Sequence, residues 1–237
     1  MAPELMEVLK HPAVWRGGSM ARADAAGVSS AYPALDAVLP GGGWPLRGMA
    51  ELLLAKPGSG ELALLLPALR QISQRQHVLL IQPPHIPYAP AWQAAGVLLS
   101  RLVWVRPRSV ADALWAMEQG LRDSGCGAVL GWAAGQIDDR ACRRLQLAAQ
   151  AGAACGFLLR LGARADSASP LPLRLGVEPA TGGVQVRILK RRGPPLAQPI
   201  HLTSHLDSRI ADHALVRPLP AAAAAGSLPA RRSRARA

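Results

Sequence analysis

The chain has 237 residues, half of them apolar, and a formal net charge of +12. That length and apolar content support one α/β domain with a buried core and exclude global disorder. No run of 18 or more apolar residues escapes breakers or charges, which excludes a transmembrane helix, and the acid-bearing start "MAPELMEVLKHPAVWRGG" does not read as a signal peptide.

The charge is unevenly placed. Residues 1–179 carry 17 basic and 13 acidic side chains, whereas 180–237 carry 10 and 2, so most of the excess is C-terminal. Only Lys10, Lys56 and Lys190 are lysines among 27 basic residues, an arginine bias that reflects composition as much as function. Cys126, Cys142 and Cys155 lack metal-ligand spacing and read as buried thiols of a reducing cytoplasm.

In chain order, residues 2–16 form a short amphipathic pattern, and 32–48 a helical turn ending in glycines and Pro45. "MAELLLA" (49–55) reads as a buried parallel strand around one acid. A glycine loop follows, then a helix over 61–74 kinked by Pro67. Strands are expected over 77–82, 102–105, 128–131 and 155–159, and helices over 92–98, 110–121 and 138–151, with "PPHIPYAP" as loop. Trp104 and Trp132 end strands and are expected to fill core or pocket space. "LRLGVEPATGGVQVRIL" reads as a hairpin around Thr-Gly-Gly. The expected architecture is α/β: a mainly parallel sheet flanked by helices and ending in an antiparallel hairpin. Three segments are expected: an N-terminal helical segment (1–29), a core domain (30–192), and an irregular, basic, partly disordered region (193–237).

The loop "AKPGSGEL" has the position of a phosphate loop, G-x-x-x-x-G-K-[ST] between strand and helix. Gly60 matches the second glycine and Gly58 lies within the loop. Ala55 replaces the first glycine, Glu61 the lysine and Leu62 the hydroxyl residue. A cation exchanged for an anion beside phosphate turns an attraction of roughly 4 kcal/mol into repulsion, and leucine cannot ligate a metal. Glu61 instead suits a helix start, where its carboxylate can meet free amides. Lys56 at the loop's other end keeps weak nucleotide binding open, but no cofactor and no metal are expected.

The run "YPALDAVLPGGGWPLRGMAELLLAKPGSGELALLL", with Ser30, Leu35, Asp36, Leu39, Gly41 to Gly43, Pro45, Gly48 and Glu51 in order, resembles RecA-type ATPases through about residue 192. The resemblance implies a RecA-like core with a degenerate phosphate loop. Where that family keeps a catalytic carboxylate after its second strand, this chain has Gln82, Pro83 and Pro84. Where it keeps the Walker B aspartate, Gly131 and Trp132 stand. With "HPAVWRG", the pattern is similar to the RecA/SulA-like ImuA family of SOS-induced translesion DNA synthesis. That resemblance implies a non-catalytic, cytoplasmic bacterial adaptor. Its implied partners are a Y-family-like protein and an error-prone replicative-type polymerase subunit, with RecA itself as the alternative contact. A SulA-like inhibitor of the tubulin-like division protein is the alternative, and a weak ATP-dependent recombinase-like enzyme the third reading. Candidate contacts with a partner or DNA are Trp15, Arg187, Lys190, Arg191 and Arg192, and the tail residues Arg231, Arg232, Arg234 and Arg236. The loop 162–172 falls where RecA-like proteins contact DNA but carries one basic residue, Arg164, and no aromatic, so base stacking there is unsupported.

Overall fold

The computed structural model describes residues 26–135, 137–203 and 216–218. Its main sheet has eight strands. In chain order they are β1 (Gly48–Leu54), β2 (His77–Ile81), β4 (Leu102–Val105), β5 (Cys126–Ala134), β6 (Cys155–Leu161), β7 (Leu173–Ala180), β8 (Gly183–Lys190) and β9 (Ile200–Thr203). The spatial order is β4-β2-β5-β6-β1-β7-β8-β9. Every neighbouring pair from β4 to β7 is parallel, and β8 and β9 add antiparallel. The expected α/β class, a mainly parallel sheet ending in an antiparallel hairpin, is therefore the one observed.

Parallel neighbours need crossovers, and these supply the helices: α2 (Glu61–Ser73) after β1, α4 (Val110–Arg122) after β4, and α5 (Asp139–Ala151) after β5. Shorter turns are α1 (Pro33–Asp36) and α3 (Ala89–Ala94). Two helix starts are capped as their sequences demand: Ser109 Oγ accepts from the Asp112 amide at 3.1 Å, and Asp138 Oδ1 from the Ala141 amide at 2.6 Å.

Side-chain alternation along β1 builds two cores. Ala50, Leu52 and Leu54 join α2, Trp44, Trp92 and Phe157 on one face. Met49 joins Met117 and Leu121 of α4 and Leu145 and Ala148 of α5 on the other. Trp44 meets Phe157 edge-to-face, ring centroids 5.3 Å apart. Asp36 ties down the start of the described chain, accepting from Ser29 Oγ at 2.7 Å and from Ser30 Oγ at 2.6 Å.

Several expectations are corrected. The strand expected at 128–131 runs over Cys126–Ala134, because alanine and glycine suit a fully buried strand that α4 and α5 approach closely. The helix expected at 92–98 is instead Ala89–Ala94, opened by a proline in its first turn. The proline-rich loop contains β3 (His85–Pro87), paired antiparallel with β10 (Val216–Pro218). The region after 192, expected to be irregular, returns β9 to the sheet through Ile200 and Leu202, which pack on the core. Trp104 is not core: it sits on the edge strand β4, 36% exposed, with the Arg106 guanidinium 5.2 Å from its ring centre.

Candidate functional site

The degenerate loop lies at the C-terminal end of β1, where open α/β sheets present ligand sites. Gly58 (φ 77°) and Gly60 (φ 94°) take left-handed backbone conformations, which suits glycine at both positions. Glu61, 3% exposed, turns back so that its Oε1 accepts from the Gly58 amide at 3.0 Å. The carboxylate of Glu61 thus meets an amide of the loop itself. Glu61 Oε2 has no hydrogen-bond partner among the described residues. Ser59 Oγ donates to the Lys56 carbonyl at 2.7 Å, tightening the same turn. Ala55 and Lys56 are exposed, and Leu62 is buried in the α2-side core.

Apolar side chains stand over this end of the sheet. A Cβ added at Gly60 would overlap Val184 Cγ1, so β8 packs directly on the loop. A Cβ at Gly131 would overlap Met117 Sδ, so α4 fills the space a longer residue would need. Trp132 is 4% exposed, and its indole N–H lacks a hydrogen-bond partner among the described residues. Pro84 is half-buried, and Gln82, two residues before it, takes φ 54°. The structure therefore gathers the loop and Val184 around β1 and β8, with Gly131 and Trp132 on β5, separated from β1 by β6. Among the described residues no cluster of metal-ligating side chains occurs. A groove of about 570 Å³ between Pro67, Arg70, Gln74 and Leu98 lies at the far end of α2 from the loop.

Sequence reasoning missed the strongest electrostatic feature. Glu51, the one acid of β1, lies in the sheet between two arginines. Arg160 of β6 reaches its Oε1 at 3.1 Å and Arg174 of β7 its Oε2 at 2.6 Å. Arg160 also donates to the Gly135 carbonyl at 3.2 Å, and Arg174 to the Ser167 carbonyl at 2.6 Å. This triad fastens the turns after β5 and β6 to the central strand. The signal was present: a lone acid in a buried run needs a partner, and each neighbouring strand carries one arginine among apolar residues.

The basic candidates separate. Arg187 and Arg192 are exposed. Lys190 donates to the Ser169 carbonyl at 2.8 Å, and Arg191 to the carbonyls of Pro194 at 2.8 Å and Val38 at 2.6 Å. These last two hold the hairpin end and the loop 162–172 in place. In that loop Arg164 pairs with Asp166 at 3.0 Å. Trp15, Arg231, Arg232, Arg234 and Arg236 lie outside the described residues. All three cysteines are buried and free.

The class defined by these features is an α/β protein with a mainly parallel sheet and a carboxylate-bridged turn after its central strand. Residues 50–156 match the family model "SulA: Cell division inhibitor SulA". The chain is 32% identical over 98 residues to the "Cell division inhibitor SulA" of Klebsiella aerogenes, covering 41% of this chain and 58% of that protein. It is 30% identical over 113 residues to the protein of the same name from Yersinia enterocolitica serotype O:8, covering 47% of this chain and 67% of that protein. A crystal structure of SulA from Pseudomonas aeruginosa is similar at 29% identity, covering 48% of this chain and 98% of that one, with a TM-score of 0.42. The chain belongs to the SulA family. It spans 58% of the length of the Klebsiella relative.

Proposed function

We propose that the chain is a non-catalytic accessory factor that acts through protein contacts in SOS-induced translesion DNA synthesis. The observation that carries the non-catalytic part is the loop: Glu61 takes the Gly58 amide, and Val184 packs on Gly60. A loop so arranged offers phosphate no cation at the lysine position, and its Gly58 amide is already taken. Support for the translesion role lies outside the family match. The segment Tyr32–Pro45, whose motif carries the ImuA resemblance, places Tyr32, Leu35, Leu39 and Trp44 in the core, and three strands continue the sheet beyond residue 156. On this reading the partners are a Y-family-like protein, an error-prone polymerase subunit and RecA.

The second reading is a division inhibitor that binds the tubulin-like division protein. The names of the relatives favour it, and over residues 50–156 they support it better than the first. One experiment separates the two. The chain is expressed without DNA damage and cell length is scored, and damage-induced mutation frequency is measured in a deletion strain. Normal division with lowered induced mutagenesis is the expected result. Filamentation with unchanged mutagenesis replaces the first reading by the second.

A further inference from the structure

We propose that the outer edge of β4 is a docking strand for an extended, acid-flanked segment of a partner protein. The inference rests on the reading that this chain works through protein contacts. Among the described residues β4 pairs only with β2, through Leu102 to Val105, so its other side presents unpaired backbone N–H and C=O groups. Proteins blunt such edges with charges or prolines inside the strand. Leu102, Val103, Trp104 and Val105 contain neither, and Val103 and Trp104 are exposed.

The charge lies just outside the strand. Arg101 precedes it, and Arg106 and Arg108 follow. Arg101 donates to the Arg75 carbonyl at 2.8 Å and Arg106 stacks on Trp104, while none of the three forms an ion pair among the described residues. The edge is thus a short apolar template bracketed by cations that form no ion pair among the described residues.

This pattern selects the occupant. If a second copy paired antiparallel about Val103 and Trp104, Arg101 of each copy would face Arg106 of the other, and like charges directly opposite are unfavourable. A segment with carboxylates at both ends of a short apolar stretch places opposite charges there. Its backbone supplies the ladder bonds, and Val103 and Trp104 give its side chains one contact on each face. Single-stranded DNA would match the arginines and stack on Trp104, but would leave the backbone edge unpaired.

The test uses the full chain and a labelled synthetic peptide of alternating valine and threonine flanked by glutamates. Binding is expected, with slowed amide exchange confined to β4, and with about tenfold weaker affinity in the Arg106→Glu/Arg108→Glu double variant. Lysine-flanked and backbone N-methylated versions of the peptide are expected not to bind. The proposal is overturned by equal binding of the N-methylated peptide, by displacement of the peptide with oligothymidylate, or by absence of binding. Self-association through β4 in sedimentation likewise overturns it. Both arginines are exposed, so the double variant tests binding without disturbing the core. No cell division or mutagenesis is read, so a negative result leaves the proposed function standing.

Discussion

Tyr32 Oη donates to the Ala63 carbonyl at 3.2 Å, four residues before Pro67 in α2. Proline has no N–H, so the carbonyl at that offset loses its helical partner. The tyrosine of the preceding segment replaces the missing donor. A helix interrupted by its own sequence is completed by a residue 31 positions earlier.

Tyr32→Phe is therefore expected to destabilise the chain by about 1 to 2 kcal/mol, the cost of a part-buried acceptor left unpaired. Adding Pro67→Ala restores an amide donor, so the double variant is expected to recover part of that loss. Urea denaturation of the four proteins checks this, and additive losses would show that the two sites are not coupled.

The loop supplies a second expectation. Glu61→Lys restores the phosphate-loop cation, yet binding of a fluorescent ATP analogue is expected to stay undetectable, because Val184 still packs on Gly60. Stability is expected to drop by about 1 kcal/mol as the Gly58 amide loses its acceptor. Submicromolar nucleotide binding by this variant would refute the occupied-loop account.

Glu51→Gln is expected to cost about 3 to 5 kcal/mol, since it strands two buried guanidinium groups. Glu51→Gln with Arg160→Met and Arg174→Met is expected to recover most of that loss, because an apolar replacement needs no ion pairing. Thermal melts of the single and triple variants test it, and a harmless single variant would remove the triad from the stabilising contacts.

The cysteines give a pH dependence. Burial pushes Cys155 up to about 12, from an ordinary value of 9.0. Burial, with Asp123 nearby, pushes Cys126 to about 11. Burial, with Glu51 nearby, does the same for Cys142. The folded state holds these protons more tightly than the unfolded one. Their contribution is therefore complete below about pH 9 and is lost as pH rises toward 11 to 12. The slope is at most about 1.4 kcal/mol per pH unit for each thiol. Cys155→Ala is expected to flatten the fall in stability above pH 9, measured by denaturant titration in alkaline buffers.

Periodicity carried much of this fold. α4 and α5 begin and end within a residue of expectation because their apolar stripes and first-turn acids are local features. β5 was underestimated because glycine and alanine lack strand propensity, and only the close approach of α4 makes Gly131 fit. The site was legible in part. The exchange of lysine for Glu61 can be read from the loop alone, but its bond to Gly58 depends on backbone conformation. Val184 against Gly60, and the arginines on Glu51, join residues far apart in the sequence, and local pattern does not encode such pairs. Trp104 was misplaced because β4 turned out to be an edge, and strand order is set by topology rather than by composition.

The arginine partners of Glu51 lie 109 and 123 residues further along the chain. β1 emerges early, yet both strands that flank it are made late. At roughly 5 to 20 residues per second of synthesis, the apolar residues of β1 and α2 wait on the order of ten seconds for their neighbours. β1 thus spends that interval without either of its flanking strands.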